Sequence, residues 1–354
     1  MFQALSFPVL LILFVISAIV VWIAGIYVSE TTDRISDRFH IGEALGGLII
    51  LGFITNLPEL AIVVSASIAH HIDIATGDIL GGIAMQTLVL VVEDVFGLGR
   101  KGALTYYAAS LVLALEGVLV VAVLIVAIMA TQLPSSLIFA RIAPGGFFIA
   151  ALWIVGIMLI DKARHDLPWQ EKGQAPGGQA GLSKRSKVAR ATHVKQMSFT
   201  MIVIVFIIAS LFTLAAGVVL EETSNQIALH MGWSGVVFAA TALAFTTSLP
   251  DLSTGLASIK VDDYTMAVSD IMGGNAFLPV LFFLANLLSG EAVLPHANGT
   301  DIYLSGLGIL LVSVYLYGLI FRPRIFKIIG LDSLTVLILY IIGIAGLFFV
   351  ARGR

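Results

Sequence analysis

The chain has 354 residues, 59% of them apolar and 12% charged. Soluble globular proteins have about 45–50% apolar and about 25% charged residues, so a mean hydropathy of +1.04 excludes a soluble core. The absence of cysteine excludes disulfides and thiolate metal sites. The formal net charge of −3 says less than where the charges fall.

The first residues lack the basic segment of a cleavable signal, and the apolar run that follows is too long for a signal core, so it reads as a membrane span. A spanning helix needs about 20 mainly apolar residues. Ten such segments follow in order: 6–28, 42–69, 73–97, 104–130, 137–160, 198–219, 233–259, 263–288, 302–321 and 330–350. The second, third, seventh and eighth are rich in Gly, Ser, Thr and Pro, which points to broken or closely packed helices.

Between the fifth and sixth spans, from Lys162 to Gln196, the chain is rich in Gly, Gln, Lys and Arg. This composition predicts a flexible cytoplasmic linker. It divides the chain into a first five-helix repeat (1–161), a basic linker (162–197) and a second five-helix repeat (198–354). With the linker in the cytoplasm, all of the 19 Lys and Arg except Arg141, Arg352 and Arg354 fall on the cytoplasmic side. Both termini are then outside.

The two halves share a register. Asn56-Leu57-Pro58-Glu59-Leu60 matches Ser248-Leu249-Pro250-Asp251-Leu252, and Asp78-Ile79-Leu80-Gly81-Gly82 matches Asp270-Ile271-Met272-Gly273-Gly274, both at an offset of 192 residues. The same offset aligns Glu30-Thr31 with Glu222-Thr223 and Ala84 with Ala276. With five spans per half, the second copy enters from the opposite face. The expected architecture is therefore an all-α membrane protein of about ten helices, as two inverted five-helix repeats with broken helices and a site at the midplane.

Glu59 and Asp251 fall in the middle of the second and seventh spans. A carboxylate at that depth costs at least about 2.5–3.5 kcal/mol, so it is expected to face a cavity and a partner. Two carboxylates facing each other either share protons or hold a cation. Pro58 and Pro250 lack an N–H, which frees the carbonyls of Ile54 and Thr246. With the hydroxyls of Thr55, Thr247 and Ser248 and the amide of Asn56, these groups form an all-oxygen shell of the kind that hard cations such as Ca2+ favour. No His or Cys lies in the motif, which argues against zinc or copper. The glycines at 77, 81, 82, 273 and 274 read as close helix packing and not as ligands. Asp78 and Asp270 lie nineteen residues after the site carboxylates and need partners. They bind a coupling ion or proton or, as preferred here, hydrogen-bond freed backbone.

These residues resemble the two α-repeats of the calcium/cation antiporter superfamily, which includes sodium/calcium exchangers. Its pattern runs Gly-Thr-Ser-Leu-Pro-Glu, then Gly-Asn-x-x-Gly-Ser-Asn. The matches are Thr55-Asn56-Leu57-Pro58-Glu59 with Gly77-Asp78-Ile79-Leu80-Gly81-Gly82, and Thr247-Ser248-Leu249-Pro250-Asp251 with Ser269-Asp270-Ile271-Met272-Gly273-Gly274-Asn275. The repeats occupy 42–97 and 233–288. The resemblance implies alternating-access exchange of Ca2+ for Na+ or H+, with Glu59 and Asp251 as the calcium pair. The serine that helps bind Na+ in sodium-coupled members is replaced here by Gly82 and Gly274. Four residues further on, where the family has Asn or Asp, stand Gln86 and Leu278. The calcium pair is kept while much of the sodium shell is not, which favours protons as the coupling ion.

Glu116, mid-span, reads as a packing residue or a proton relay. Glu93 and Asp94 read as solvated at the cytoplasmic end of the third span, and His70-His71 as a surface pair. Trp22, Trp153, Trp169 and Trp233 read as interfacial or packing residues. The leading function is a secondary antiporter, and the alternative is a cation channel lined by the same acids. No catalytic constellation points to an enzyme, and nothing points to nucleic acid or a bound cofactor. The expected partners are the transported cations and the bilayer. The oligomeric state is left open, with a monomer compatible.

Overall fold

The computed structural model describes residues 2, 5–39, 52–108, 110–165, 197–321, 325–326 and 328–352. In chain order the helices are α1 (Phe7–Phe39), α2 (Leu57–Ile68), α3 (Ile72–Glu93), α4 (Leu111–Ala130) and α5 (Pro144–His165). The second half has α6 (Phe199–Met231), α7 (Gly235–Thr247), α8 (Leu249–Lys260), α9 (Tyr264–Ser289), α10 (Gly299–Phe321) and α11 (Leu331–Arg352). A two-residue hairpin, β1 (Ile325–Phe326) against β2 (Ile329–Gly330), joins α10 to α11.

The protein is an integral, multi-pass membrane protein. Among the described residues, eight single helices are long and apolar enough to span, and α7 with α8 is a further apolar pair bent by 41° at its break. The expected second span is described only from residue 52, as a helical turn over 52–55 followed by α2. The linker from 166 to 196, with Trp169, lies outside the described residues.

Buried and lipid-facing surfaces sort the helices. In α3, 78% of the most apolar stretch is buried inside the protein, and in α9 67%, against 33% or less in α1, α5, α6 and α11. The repeat mates α3 and α9 are thus the central pair, bridged by Asn275 Nδ2 donating to Thr87 Oγ1 at 3.2 Å. Small residues allow the close approach: a Cβ on Gly77 would lie 2.8 Å from Val236 O, and one on Gly81 would overlap Ala240 of α7.

The inverted symmetry appears as matched contacts. Thr31 Oγ1 donates to Tyr27 O at 2.6 Å and its mate Thr223 Oγ1 to Val219 O at 2.7 Å. Asn56 Nδ2 donates to Gly52 O at 2.9 Å and its mate Ser248 Oγ to Ala244 O at 2.8 Å. Gly25 of α1 abuts Pro250 in the second repeat, while its mate Gly217 of α6 abuts Pro58 and Ala61 in the first. Each repeat thus lends its first helix to the other's broken helix.

Three expectations are corrected. First, α1 and α6 run well beyond 28 and 219. Their polar second halves remain helical because the threonine hydroxyls bond to carbonyls of their own helix and the two helices pack along each other. Second, the fourth span does not start at 104: a short helix Leu104–Ala108 precedes a break, and Ser110 caps α4. Third, Glu93 and Asp94 are not solvated but wholly buried. Asp94 is held there because Oδ1 accepts from Leu104 N at 2.7 Å and Oδ2 from Gly330 N at 2.6 Å. Its repeat mate Asn286 does the same with one bond, accepting from Val293 N at 2.9 Å.

Candidate cation site

Proline makes the site. Pro58 and Pro250 sit in the first turns of α2 and α8, where their missing N–H costs no helical hydrogen bond. The chain breaks just before them, at Asn56 and Ser248, and Glu59 and Asp251 enter the first turn of each new helix. Both breaks lie against α3, which carries Asp78 and Gln86.

Glu59 is 2% exposed. Gln86 Nε2 donates to its Oε1 at 3.5 Å, and Thr247 of the opposite repeat, whose hydroxyl donates to Ala244 O at 3.2 Å, lies beside the same carboxylate. Asn56 and Gln86 both face Gly274, where a Cβ would lie 3.4 Å from Asn56 Oδ1 and 3.3 Å from Gln86 Oε1. On the other side of the pseudo-axis, Gly82 faces Leu278, whose Cδ1 would lie 3.2 Å from a Cβ there. The site is therefore polar around Glu59 and filled by a methyl group at the equivalent place in the second repeat.

Asp251 is partly exposed and lies within electrostatic reach of both Glu59 and Asp270. Thr254, one turn after Asp251, donates to Asp270 Oδ2 at 3.2 Å. Asp78 is wholly buried beside Glu59, and among the described residues neither of its oxygens has a hydrogen-bond partner, so it does not bond the freed backbone. Of the other expected ligands, Ile54, Thr55 and Thr247 line a cavity of about 400 Å³ together with Asp251 and Asp270. Thr246 and Ser248 are buried, with their hydroxyls bonded to Leu243 O at 2.7 Å and Ala244 O at 2.8 Å. Among the described residues, no cluster of three or more His, Asp or Glu side chains has the spacing of a metal centre. A cation here would take a mixed shell of carboxylate, amide, hydroxyl and carbonyl oxygens.

The sequence reading missed two groups. Among the described residues, neither oxygen of Glu93 has a hydrogen-bond partner, and the side chain lies against Gly255, one turn beyond Asp251 on α8, within electrostatic reach of Asp251 and Asp270. Thr254 was legible, since a residue three positions after a site acid shares its helix face. Glu116 accepts from Ser269 Oγ at 3.1 Å, which ties α4 to the residue before Asp270. Trp153 packs on Phe277, Trp233 on Phe348, and Trp22 donates to Ser253 Oγ at 2.8 Å.

Among the described residues, no cationic side chain neutralises Glu59, Asp78, Glu93 or Asp251. Like charges gathered out of water are stable only when a cation or bound protons neutralise them. An assembly of this kind, in two symmetric halves, calls for a cation or bound protons to neutralise it. The family model for sodium/calcium exchanger protein matches residues 9–160 and 201–349, nearly the whole length of both repeats.

The chain belongs to the sodium/calcium exchanger protein family.

It is thus a membrane cation exchanger by family. It is 22% identical over 322 residues to an uncharacterized membrane protein of Methanocaldococcus jannaschii, covering 89% of this chain and 90% of the other. It is 24% identical over 303 residues to a candidate antiporter, CaxA, of Alkalimonas amylolytica, covering 84% and 87%. The fold matches the crystal structure of an H+/Ca2+ exchanger, CAX, with a TM-score of 0.68 at 12% identity over 97% of this chain and 85% of that one. It matches the sodium-calcium exchanger NCX_Mj with a TM-score of 0.59 at 18% identity, over 96% and 99%.

Proposed function

We propose that this protein is a secondary antiporter that exchanges Ca2+, or a related divalent cation, for protons by alternating access. In this reading Glu59 and Asp251 bind the divalent cation, assisted by Asn56, Gln86 and Thr247. The observation that carries it is the meeting of two repeat-related carboxylates, each in the first turn after a proline break, with no cationic neighbour among the described residues. Calcium suits the all-oxygen set, and the relatives whose names mention calcium support that choice. Protons suit the coupling role because Asp78 and Glu93 are wholly buried, without hydrogen-bond partners among the described residues, and need only a proton to become neutral. Sodium would need further oxygens where Gly82 and Leu278 stand. The basic linker is assigned to the cytoplasm, with both termini outside.

The test is transport of radiolabelled Ca2+ by Glu59→Gln and Asp251→Asn in proteoliposomes. Both variants should fold as the unmodified protein does, by gel filtration and thermal unfolding, and both should lose uptake. Normal uptake by both would remove the pair from the mechanism.

A further inference from the structure

The two repeats share a backbone plan but differ in how open they are. A second, small pocket lies between α1 and α8 and shares Ser29, Thr254 and Asp270 with the cavity at the site. It extends to Glu30, Asp33 and Ser258, towards the face where Phe39 packs on Phe199 at the start of α6. α6 begins at that face, so the carboxylate pair is reached from the side on which the linker joins α6.

The same places in the other repeat, found by the offset of 192 residues, are sealed. Thr254 becomes Ile62 at 0% exposure, Ser258 becomes Ala66 at 0%, and Met266 becomes Ile74 at 1%, whereas Thr254 and Met266 are partly exposed. Three further substitutions tie this seal together. Ser29 is replaced by Glu221, Ala257 by Ser65, and Asp263 by His71. Glu221 is wholly buried, with Oε1 2.7 Å from His71 Nδ1 and Oε2 accepting from Ser65 Oγ at 2.8 Å. The histidine is not the free surface group its position in a loop predicts.

We propose that Glu221, clasped by His71 and Ser65, is the latch of a gate that closes the route to the carboxylate pair on the face opposite the linker. Glu221 lies on α6, while Ser65 and His71 lie at the end of α2 and the start of α3. The latch therefore joins the first helix of one repeat to the site helices of the other, and opening that route requires α6 to leave α2. At the equivalent places on the linker side stand Ser29, Ala257 and Asp263, so the carboxylate, the hydroxyl and the imidazole of the latch are all replaced there. The seal and the open cavity are then the two halves of one alternation, closed on one face while open on the other. The purpose rests on the exchange reading above, whereas the latch itself is tested without any ion flux.

Because the chain has no cysteine, one introduced thiol gives a clean signal. Ile74→Cys and its mate Met266→Cys, each in the full-length protein in nanodiscs, are reacted with a hydrophilic maleimide. In the unmodified latch, Met266→Cys should react and Ile74→Cys should be almost inert. Adding His71→Ala, or Glu221→Ser (the residue its repeat mate has), should speed labelling of Ile74→Cys about tenfold, as expected when hydrogen bonds to a buried carboxylate are lost. It should also slow labelling of Met266→Cys, because the two routes alternate. Ile74→Cys remaining inert in both backgrounds would overturn the proposal. A rise of both thiols together would also overturn it, since that reports general loosening. His71→Ala, altering only a loop-side contact, keeps the test valid should Glu221→Ser fail to fold.

Discussion

Replacing Gly274 with serine would place a side chain where a Cβ lies 3.3 Å from Gln86 Oε1 and 3.4 Å from Asn56 Oδ1. Both are ordinary or slightly tight contacts, so the backbone need not move, and the new hydroxyl joins an existing group of oxygens beside Glu59. Gly82→Ser is the internal control, because its Cβ meets Leu278 Cδ1 at 3.2 Å and its hydroxyl finds a methyl group instead of an oxygen. One extra oxygen ligand for a monovalent cation is worth about 1–1.5 kcal/mol, or about a five- to twelvefold gain in apparent affinity. The asymmetry of the site therefore predicts that Gly274→Ser raises inhibition of Ca2+ uptake by external Na+ by that factor, and that Gly82→Ser leaves it within about twofold of the unmodified protein. The assay is a Na+ titration of radiolabelled Ca2+ uptake in proteoliposomes at fixed pH. Equal responses of the two variants would refute the placement of Gln86 and Leu278 as the polar and apolar faces of one site.

Further outcomes follow from the packing. Asp94→Ala removes the acceptor of two buried backbone N–H groups and should destabilise the protein by about 3–5 kcal/mol, whereas Asn286→Ala, with one such bond, should cost about 1–3 kcal/mol. Thermal unfolding in detergent checks the order, and equal shifts would contradict it. Gly81→Ala drives a methyl group into Ala240 and should cost about 1–3 kcal/mol by overpacking, read as a lower unfolding temperature. Protease cleavage within 166–196 should leave Ca2+ binding unchanged by equilibrium dialysis, because none of the site residues lies in that segment.

Much of this was legible in the sequence, for identifiable reasons. The offset of 192 residues aligns the proline-acid motifs and Asp78 with Asp270, and the folded chain makes matched contacts at Asn56 and Ser248. The proline breaks were legible because a missing N–H has only one structural consequence. The full lengths of α1 and α6 were not, since Glu30-Thr31 and Glu222-Thr223 end the apolar runs that define a span in sequence. Their hydroxyls satisfy the backbone of the same helix, which no hydropathy window registers. Glu93 and Asp94 were misplaced for a related reason: their burial comes from Gly255, Leu104 and Gly330, distant in sequence. Glu221 left a faint signal, as one of the places where the repeat register pairs an acid with a serine. A sequence reading that compares mates for their differences, and not only their identities, would have found it.

In the proposed function, the buried Glu59 and the partly exposed Asp251 exchange a divalent cation for protons. The measurement that tests it most directly is uptake of radiolabelled Ca2+ into proteoliposomes of the unmodified protein, driven in turn by a pH gradient without Na+ and by a Na+ gradient without a pH difference. A pH gradient alone should drive saturable uptake that disappears in Glu59→Gln. Uptake driven strongly by Na+ and unaffected by the pH gradient, or a conductance with no counter-ion dependence, would contradict the account.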